Sequence, residues 1–272
     1  MADKVRLDVL LVKKGLCPSR ERARSVIMAG HVFVNGQRVD KPGKAVSMES
    51  EVVIKGNDLP FVSRGGLKLA KALKVFNIDL NDKTVLDVGA STGGFTDCVL
   101  QNGARKVYAV DVGYGQLAWK LRQDPRVVPL ERVNIRYMSC EQLDEAPNFV
   151  TVDVSFISLT KILPNIDRLI TRDAHGILLV KPQFEAGREK VGRKGVVKDP
   201  GVHIEVLSNI LAFIKKLGWT TCGITYSPIK GPEGNIEYLV YFSKQQESED
   251  FQGNIAVLVR EAHSKLGKGG SR

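Results

Sequence analysis

The sequence predicts an α/β protein with a doubly wound, largely parallel sheet, preceded by a small α+β unit. Three observations carry this. From residue 82 onward, short apolar runs alternate with helical stretches, the pattern of strand–helix–strand units. The first of those runs passes directly into a glycine-rich turn, LDVGASTGGF. Residues 1–60 differ in character, with two short helical patterns, a hairpin signal and a concentration of basic residues.

In the N-terminal unit, residues 6–14 and 19–29 read as helices, the second with Ser19 as N-cap. HVFVNGQRV carries Asn35-Gly36 between β-branched runs and reads as a hairpin, and EVVIK as a further strand. The unit holds eleven basic against seven acidic residues. Arg20 and Arg24, four apart, share one helix face and can span adjacent phosphates, while Arg6, Lys13 and Lys14 flank the preceding helix. A solvated helix face is the plainer explanation for any one of these residues alone.

The expected strands of the second unit are 84–90, 106–113, 126–130, 148–156 and 176–182, with helices between them such as FTDCVLQNG and SLTKILPNIDRLI. Ligands of such sheets bind at the carboxyl ends of the strands, where the strand order reverses. In the turn, Gly89, Gly93 and Gly94 allow tight backbone and close approach to a ligand, with Ser91 and Phe95 beside them. Asp111 ends the next strand, 22 residues after Gly89, where an acid can accept from ribose hydroxyls. A dinucleotide and a sulfonium donor both remain compatible with this arrangement, as does a plain tight turn. The spacing GxxxGG and the presence of Asp87, read as part of the turn, favour a ligand bearing an ammonium and a sulfonium over a pyrophosphate.

Charged residues at the strand ends point to chemistry. Asp153 stands at the end of the fourth strand and Lys181 at the end of the fifth; neighbouring strands lie about 5 Å apart, so the two can meet over one crevice. Glu237, between Ile236 and Tyr238 in GNIEYLVYF, an expected apolar strand near the sheet's far end, demands a cationic partner if buried, which Lys68 or Lys181 can supply. Lys68 lies on an amphipathic helix entered through Gly65-Gly66. A strand-capping salt bridge is the structural alternative. Between the fifth strand and the next helix, residues 184–200 form a glycine-interrupted basic loop with Arg188, Arg193 and Lys194, expected to be mobile and able to clamp a nucleic-acid backbone.

Composition bounds the partners. The net charge of +10 over 272 residues suits a polyanion, and 43% hydrophobic with 26% charged residues is ordinary for a folded protein. Cys17, Cys98, Cys140 and Cys222 are too dispersed for a zinc site or a disulfide framework and fit reduced thiols in the cytoplasm. No signal peptide or membrane-spanning run is visible.

RLDVLLVKKGLCPSRERARSVIMAGHVFVNGQRV resembles the small αL-type RNA-binding domain of a ribosomal small-subunit protein and of pseudouridine synthases. Lys68, Asp153, Lys181 and Glu237, in the contexts SRGGLKL, DVSFIS, LVKPQFE and GNIEYL, resemble the Lys-Asp-Lys-Glu tetrad of FtsJ-type ribose 2'-O-methyltransferases. Over roughly residues 4–244 the chain is similar to the TlyA family, historically called hemolysin A. The resemblance implies a Rossmann-like class I methyltransferase sheet, S-adenosyl-L-methionine as cofactor, no metal, and cytidine 2'-hydroxyls of ribosomal RNA or ribosomal subunits as acceptor. It also implies a general base at Lys181, oriented by Asp153, with Lys68 and Glu237 holding the site together. A lysine can take that part only when neutral, a form that burial and a second cation favour and carboxylates oppose. The expected divisions are residues 1–60, residues 61–244 including the helix that opens the catalytic unit, and a C-terminal helix and tail over 245–272. Amino-group methylation fits less well, because DVSF stands where Asn or Asp, Pro, Pro and an aromatic residue are usual. Cytosine-carbon methylation lacks a nucleophile, since Cys140 precedes the strand and Cys98 sits in the first helix. A membrane-lytic protein and a nicotinamide-dependent oxidoreductase are the other classes, separable by liposome leakage and by titration with NAD against S-adenosylmethionine.

Overall fold

The computed structural model describes residues 4–28, 30–54, 60–245, 251 and 253–267. The chain divides between Leu59 and Pro60 into two compact units.

The N-terminal unit runs β1 (Lys4–Arg6), α1 (Leu7–Lys13), α2 (Arg20–Met28), β2 (Val32–Val34), β3 (Gln37–Arg38), β4 (Ala45–Ser47) and β5 (Val52–Ile54). Ser19 caps α2 by accepting from Arg22 N at 3.2 Å. Asn35 and Gly36 both have positive φ, +49° and +77°, as a two-residue turn matched to strand twist requires. β2 pairs antiparallel with β3 and β5, and β1 pairs with β4. The core is made by Leu7, Leu10, Leu11, Ala23, Ile27 and Val32, from one face of each helix and the inner face of β2. The first helix starts one residue later than expected because Arg6 belongs to β1, a pairing across 38 residues of chain that local pattern does not announce.

The second unit comprises α3 (Gly65–Val75), β6 (Thr84–Val88), α4 (Gly94–Gln101), β7 (Lys106–Asp111), α5 (Trp119–Arg122), β8 (Val127–Glu131), β9 (Phe149–Val152), α6 (Leu163–Leu169), β10 (His175–Val180), α7 (Pro182–Glu185), α8 (Pro200–Lys216), β11 (Thr220–Tyr226), β12 (Tyr238–Ser243) and α9 (Ile255–Gly267). The sheet order is β11-β12-β10-β9-β6-β7-β8, with β12 antiparallel to both neighbours and the strands from β10 to β8 parallel. The order reverses between β6 and β9, which opens a crevice at their carboxyl ends. Both strands are buried throughout, so their sequences do not alternate; they are mostly apolar, with Thr84, Asp87 and Thr151 as buried polar exceptions. β10 stops at Val180 because Pro182 has no N–H for the ladder and begins α7 instead.

Two corrections to the expected topology bear on the site. β11 went unforeseen, and Glu237 lies not within a strand but one residue before β12. Since β12 runs antiparallel with Tyr238 opposite Val180, Glu237 at its start stands beside Lys181 just past the end of β10. The C-terminal helix α9 buries Val259 and Ala262 and packs on α8 and β11. Of the expected C-terminal tail, GKGGSR, Gly267 closes α9 and residues 268–272 lie outside the described residues.

Candidate active site

The turn after β6 forms the floor of the crevice. Gly89 has φ +84°, and a Cβ there would sit 2.5 Å from Asp153 O, so the turn presses directly on the end of β9. Gly93, at φ +96°, faces Leu121 Cδ1, which a Cβ would meet at 2.2 Å. The side on which a side chain would stand is thus filled by the leucines around α5, so packing also requires a glycine here. Gly94 in turn lies against Ser63 and the start of α3.

Asp87 also differs from expectation. It lies inside β6 rather than in the turn, has no exposed surface, and accepts from Thr96 Oγ1 at 2.6 Å and Thr151 Oγ1 at 2.8 Å. Burial pushes its carboxyl up to about 6. The carboxylate thus ties β6, α4 and β9 together beneath the crevice and does not line it. Asp111 ends β7 as expected, accepting from Ser91 N at 2.8 Å and Gly113 N at 2.7 Å, which fixes the turn and leaves further lone pairs for hydroxyl donors.

A pocket of about 210 Å³ is lined by Ser63, Gly65, Lys68, Gly89, Ala90, Ser91, Thr92, Gly94, Phe95, Asp153, Ser155, Lys181, Pro232 and Glu237. All four residues expected to act together reach it, as two ion pairs. Lys68 Nζ is 2.5 Å from Glu237 Oε2, with only 7% and 1% of the two side chains exposed. Lys181 Nζ is 2.6 Å from Asp153 Oδ1 and donates to Ser155 Oγ at 3.0 Å. Lys68 is not the solvated residue its helix position suggests when taken alone. Cys98 is buried, and burial pushes its thiol up to about 12, which leaves no ready thiolate in α4.

Beside the pocket, Phe156 has φ +65° and is 91% exposed, with its ring 5.0 Å from that of Phe184. A non-glycine residue held in this conformation with its ring in water is a strained arrangement. Of the loop cations, Arg188, Arg193 and Lys194 are exposed, whereas Lys190 pairs with Glu205 at 2.5 Å.

In the N-terminal unit, Asp8 is wholly buried and accepts from both Arg6, at 3.0 Å, and Arg20, at 3.2 Å. Hydrogen bonds from Arg6, and then Arg20, hold its carboxyl down to about 2 against the opposing cost of burial. Arg20 is consequently half engaged in structure, which qualifies the expected Arg20–Arg24 phosphate clamp. Lys14 is likewise engaged, donating to Ser50 O at 2.9 Å, while Lys13 and Arg24 are exposed.

Comparison with known proteins matches residues 61–244 to the FtsJ-like methyltransferase family and residues 5–53 to the S4 domain. YqxC of Bacillus subtilis (strain 168) is 52% identical over 268 residues, covering 97% of this chain and 95% of that protein. The 16S/23S rRNA (cytidine-2'-O)-methyltransferase TlyA of Mycobacterium tuberculosis is 44% identical over 248 residues, covering 91% and 92%. The chain belongs to the TlyA family of FtsJ-like methyltransferases. A solved hemolysin-named structure from Streptococcus thermophilus agrees, with a TM-score of 0.79, 46% identity and 98% of each chain covered. For a TlyA-family methyltransferase, sequence reasoning missed Ser63, Ser155, Pro232 and Phe156 around the pocket. Ser155 and Phe156 had a signal, since they stand two and three residues after the strand-ending Asp153; Ser63 also had one, as the first residue of SRGGLKL, and Pro232 lies five residues before Glu237. Among the described residues no helix is long and apolar enough to cross a membrane, and no group of three or more His, Cys, Asp or Glu could hold a metal ion.

Proposed function

We propose that this enzyme transfers a methyl group from S-adenosylmethionine to the 2'-hydroxyl of cytidine in ribosomal RNA. The observation that carries the reading is the convergence of Lys68, Asp153, Lys181 and Glu237 on one pocket at the carboxyl ends of β6, β9 and β10. The substrate class rests on the Mycobacterium tuberculosis relative, a 16S/23S rRNA (cytidine-2'-O)-methyltransferase, and on the S4 domain.

The residues present fit the cofactor. A crevice lined by the backbone of Gly89 to Thr92 offers amide and carbonyl groups to a ligand with hydroxyls, and Asp111 retains acceptor capacity beside Ser91; the charges of Asp153 and Glu237 in the same lining are balanced by Lys181 and Lys68. When bound, S-adenosylmethionine supplies an electrophilic methyl on a sulfonium. With the donor bound, Lys181 Nζ would take the proton of the ribose hydroxyl as the oxygen–carbon bond forms and the sulfur–carbon bond of the donor breaks, and Asp153 would hold the resulting ammonium. Ser155 fixes the rotamer of Lys181, and the Lys68–Glu237 pair walls the same pocket. Phe156 offers an exposed ring against which the acceptor base can stack.

Lys181→Ala should keep the fold and donor affinity while losing transfer. Near-normal single-turnover methylation by that variant would exclude an essential base at Lys181. Mapping ribose methylation in ribosomal RNA from deletion and complemented strains identifies the nucleotide; an unchanged map overturns the assignment.

A further inference from the structure

The basic loop before α8 was expected to be mobile, yet it is fastened at three points by two buried side chains. Gly195 N donates to Gly192 O at 2.8 Å, which closes a four-residue turn with Arg193 and Lys194 at its tip. Asn235, 1% exposed, holds the far side of that turn: its Nδ2 donates to Gly195 O at 2.8 Å and its Oδ1 accepts from Val197 N at 3.0 Å. Val197 O lies 3.0 Å from Nε2 of His203 on α8. A carbonyl only accepts, so Nε2 carries the hydrogen, and Nδ1 of the neutral ring accepts from Tyr238 OH at 2.7 Å.

Both fasteners are rooted next to the tetrad. Asn235 lies two residues before Glu237, and its backbone oxygen accepts from Gly231 N at 2.9 Å, closing the turn that carries Pro232 into the pocket. Tyr238 directly follows Glu237 and is fully buried. One short segment thus supplies a tetrad carboxylate, a wall of the pocket and the anchors of a cationic turn.

We propose that Asn235 and His203 are positioning residues that hold Arg193 and Lys194 in fixed register with the tetrad, so that the turn engages the phosphate backbone of the acceptor RNA. This rests on the RNA-methylation reading above. The side chains are worth burying for that purpose because a cation held in place loses little conformational freedom on meeting a phosphate, whereas a cation on a wandering loop must be ordered at the moment of binding.

The test uses the full-length enzyme with ribosomal subunits purified from a strain lacking it. Asn235→Ala removes both loop contacts and should raise the KM for subunits about tenfold, with donor affinity by calorimetry within about twofold of wild type. Amide exchange at Val197 should accelerate in the same variant. If the anchor acts through the cations, Asn235→Ala made in an Arg193→Ala/Lys194→Ala background should raise KM little further. His203→Gln, which can still donate to Val197 O, should restore part of what His203→Ala loses. Asn235→Asp keeps an acceptor for Val197 N but sets a carboxylate against Gly195 O, so it should raise KM even where the alanine variant folds poorly. Wild-type KM in Asn235→Asp, or fully additive effects in the cycle, overturns the proposal while leaving RNA methylation intact. A wild-type enzyme that methylates no RNA overturns this inference together with the reading it rests on.

Discussion

Lys68 and Glu237 are each almost fully buried, and each is tolerable there only because of the other. Lys68→Met should therefore destabilise by about 3–5 kcal/mol through the carboxylate it strands, whereas Lys68→Met with Glu237→Leu should recover most of that loss and none of the activity. Urea unfolding checks the first part and methyl transfer the second; a double variant no more stable than the single one would mean that the pair is not what satisfies Glu237. Asp87 offers a second test. Its folded carboxyl, raised to about 6, keeps its proton over a pH range in which the unfolded chain has released it. More protons are then bound in the folded state, so this residue costs stability as pH rises from about 4 to 6. Asp87→Asn should flatten that limb of the stability curve. Asp87→Ala should instead lower stability at every pH, by about 1–3 kcal/mol for each hydroxyl of Thr96 and Thr151 left without its partner.

At the scale of elements, α8 is tied to β12 through His203, whose imidazole burial pushes down to about 4. Asp199 at the start of α8 opposes that shift, while His263 on α9, itself lowered by burial and by Lys230, reinforces it. Between about 6.5 and 4 the unfolded chain binds a proton that the folded chain refuses, so stability falls as the solution is acidified through that window. Thermal melts of the wild type should show the fall, and His203→Gln should reduce it; identical pH profiles would remove His203 as its source. The glycine turn between β6 and α4 behaves as packing. Gly93→Val would drive a branched side chain into Leu121 and Leu117 at a backbone angle such residues avoid, costing about 1–3 kcal/mol before any ligand is considered. Weakened donor binding in that variant therefore needs a melt beside it, and an unchanged melting temperature would show that the leucines yield.

For the whole molecule, the division at Leu59 separates a small cationic unit from the unit that carries the tetrad. Arg6 and Arg20 are bound to the buried Asp8, so Arg20→Ala should destabilise the N-terminal unit as well as remove a charge. Lys13→Ala with Arg24→Ala is the cleaner test of RNA docking, because both residues are exposed. Each lost phosphate contact should lower the slope of log affinity against log salt by about 1, while donor affinity stays unchanged. Wild-type affinity and slope would leave the S4 unit without a docking part on this face.

The sequence by itself determined the α/β class, the small helix-and-hairpin unit in front of it, the glycine turn after β6 and the charges Asp153, Lys181 and Glu237 at or beside apolar strands, whereas Lys68 and the tetrad as a set came from resemblance to a known family. Each of the former is written in local order: a run of apolar residues, a turn dipeptide, or a single charge where a strand stops, all set by backbone sterics and by the cost of burying an unpaired charge. Tertiary structure decided which lysine meets which carboxylate, because the antiparallel turn of β12 brings Glu237 beside the end of β10 and the α3 helix delivers Lys68 from 169 residues away. It also turned Asp87 away from the crevice and onto Thr96 and Thr151, set Gly93 against leucines, and fastened a loop that glycines and cations had marked as mobile. These outcomes depend on contacts between segments far apart in the chain, and the direction in which a buried polar group finds its partner has no imprint on the residues next to it.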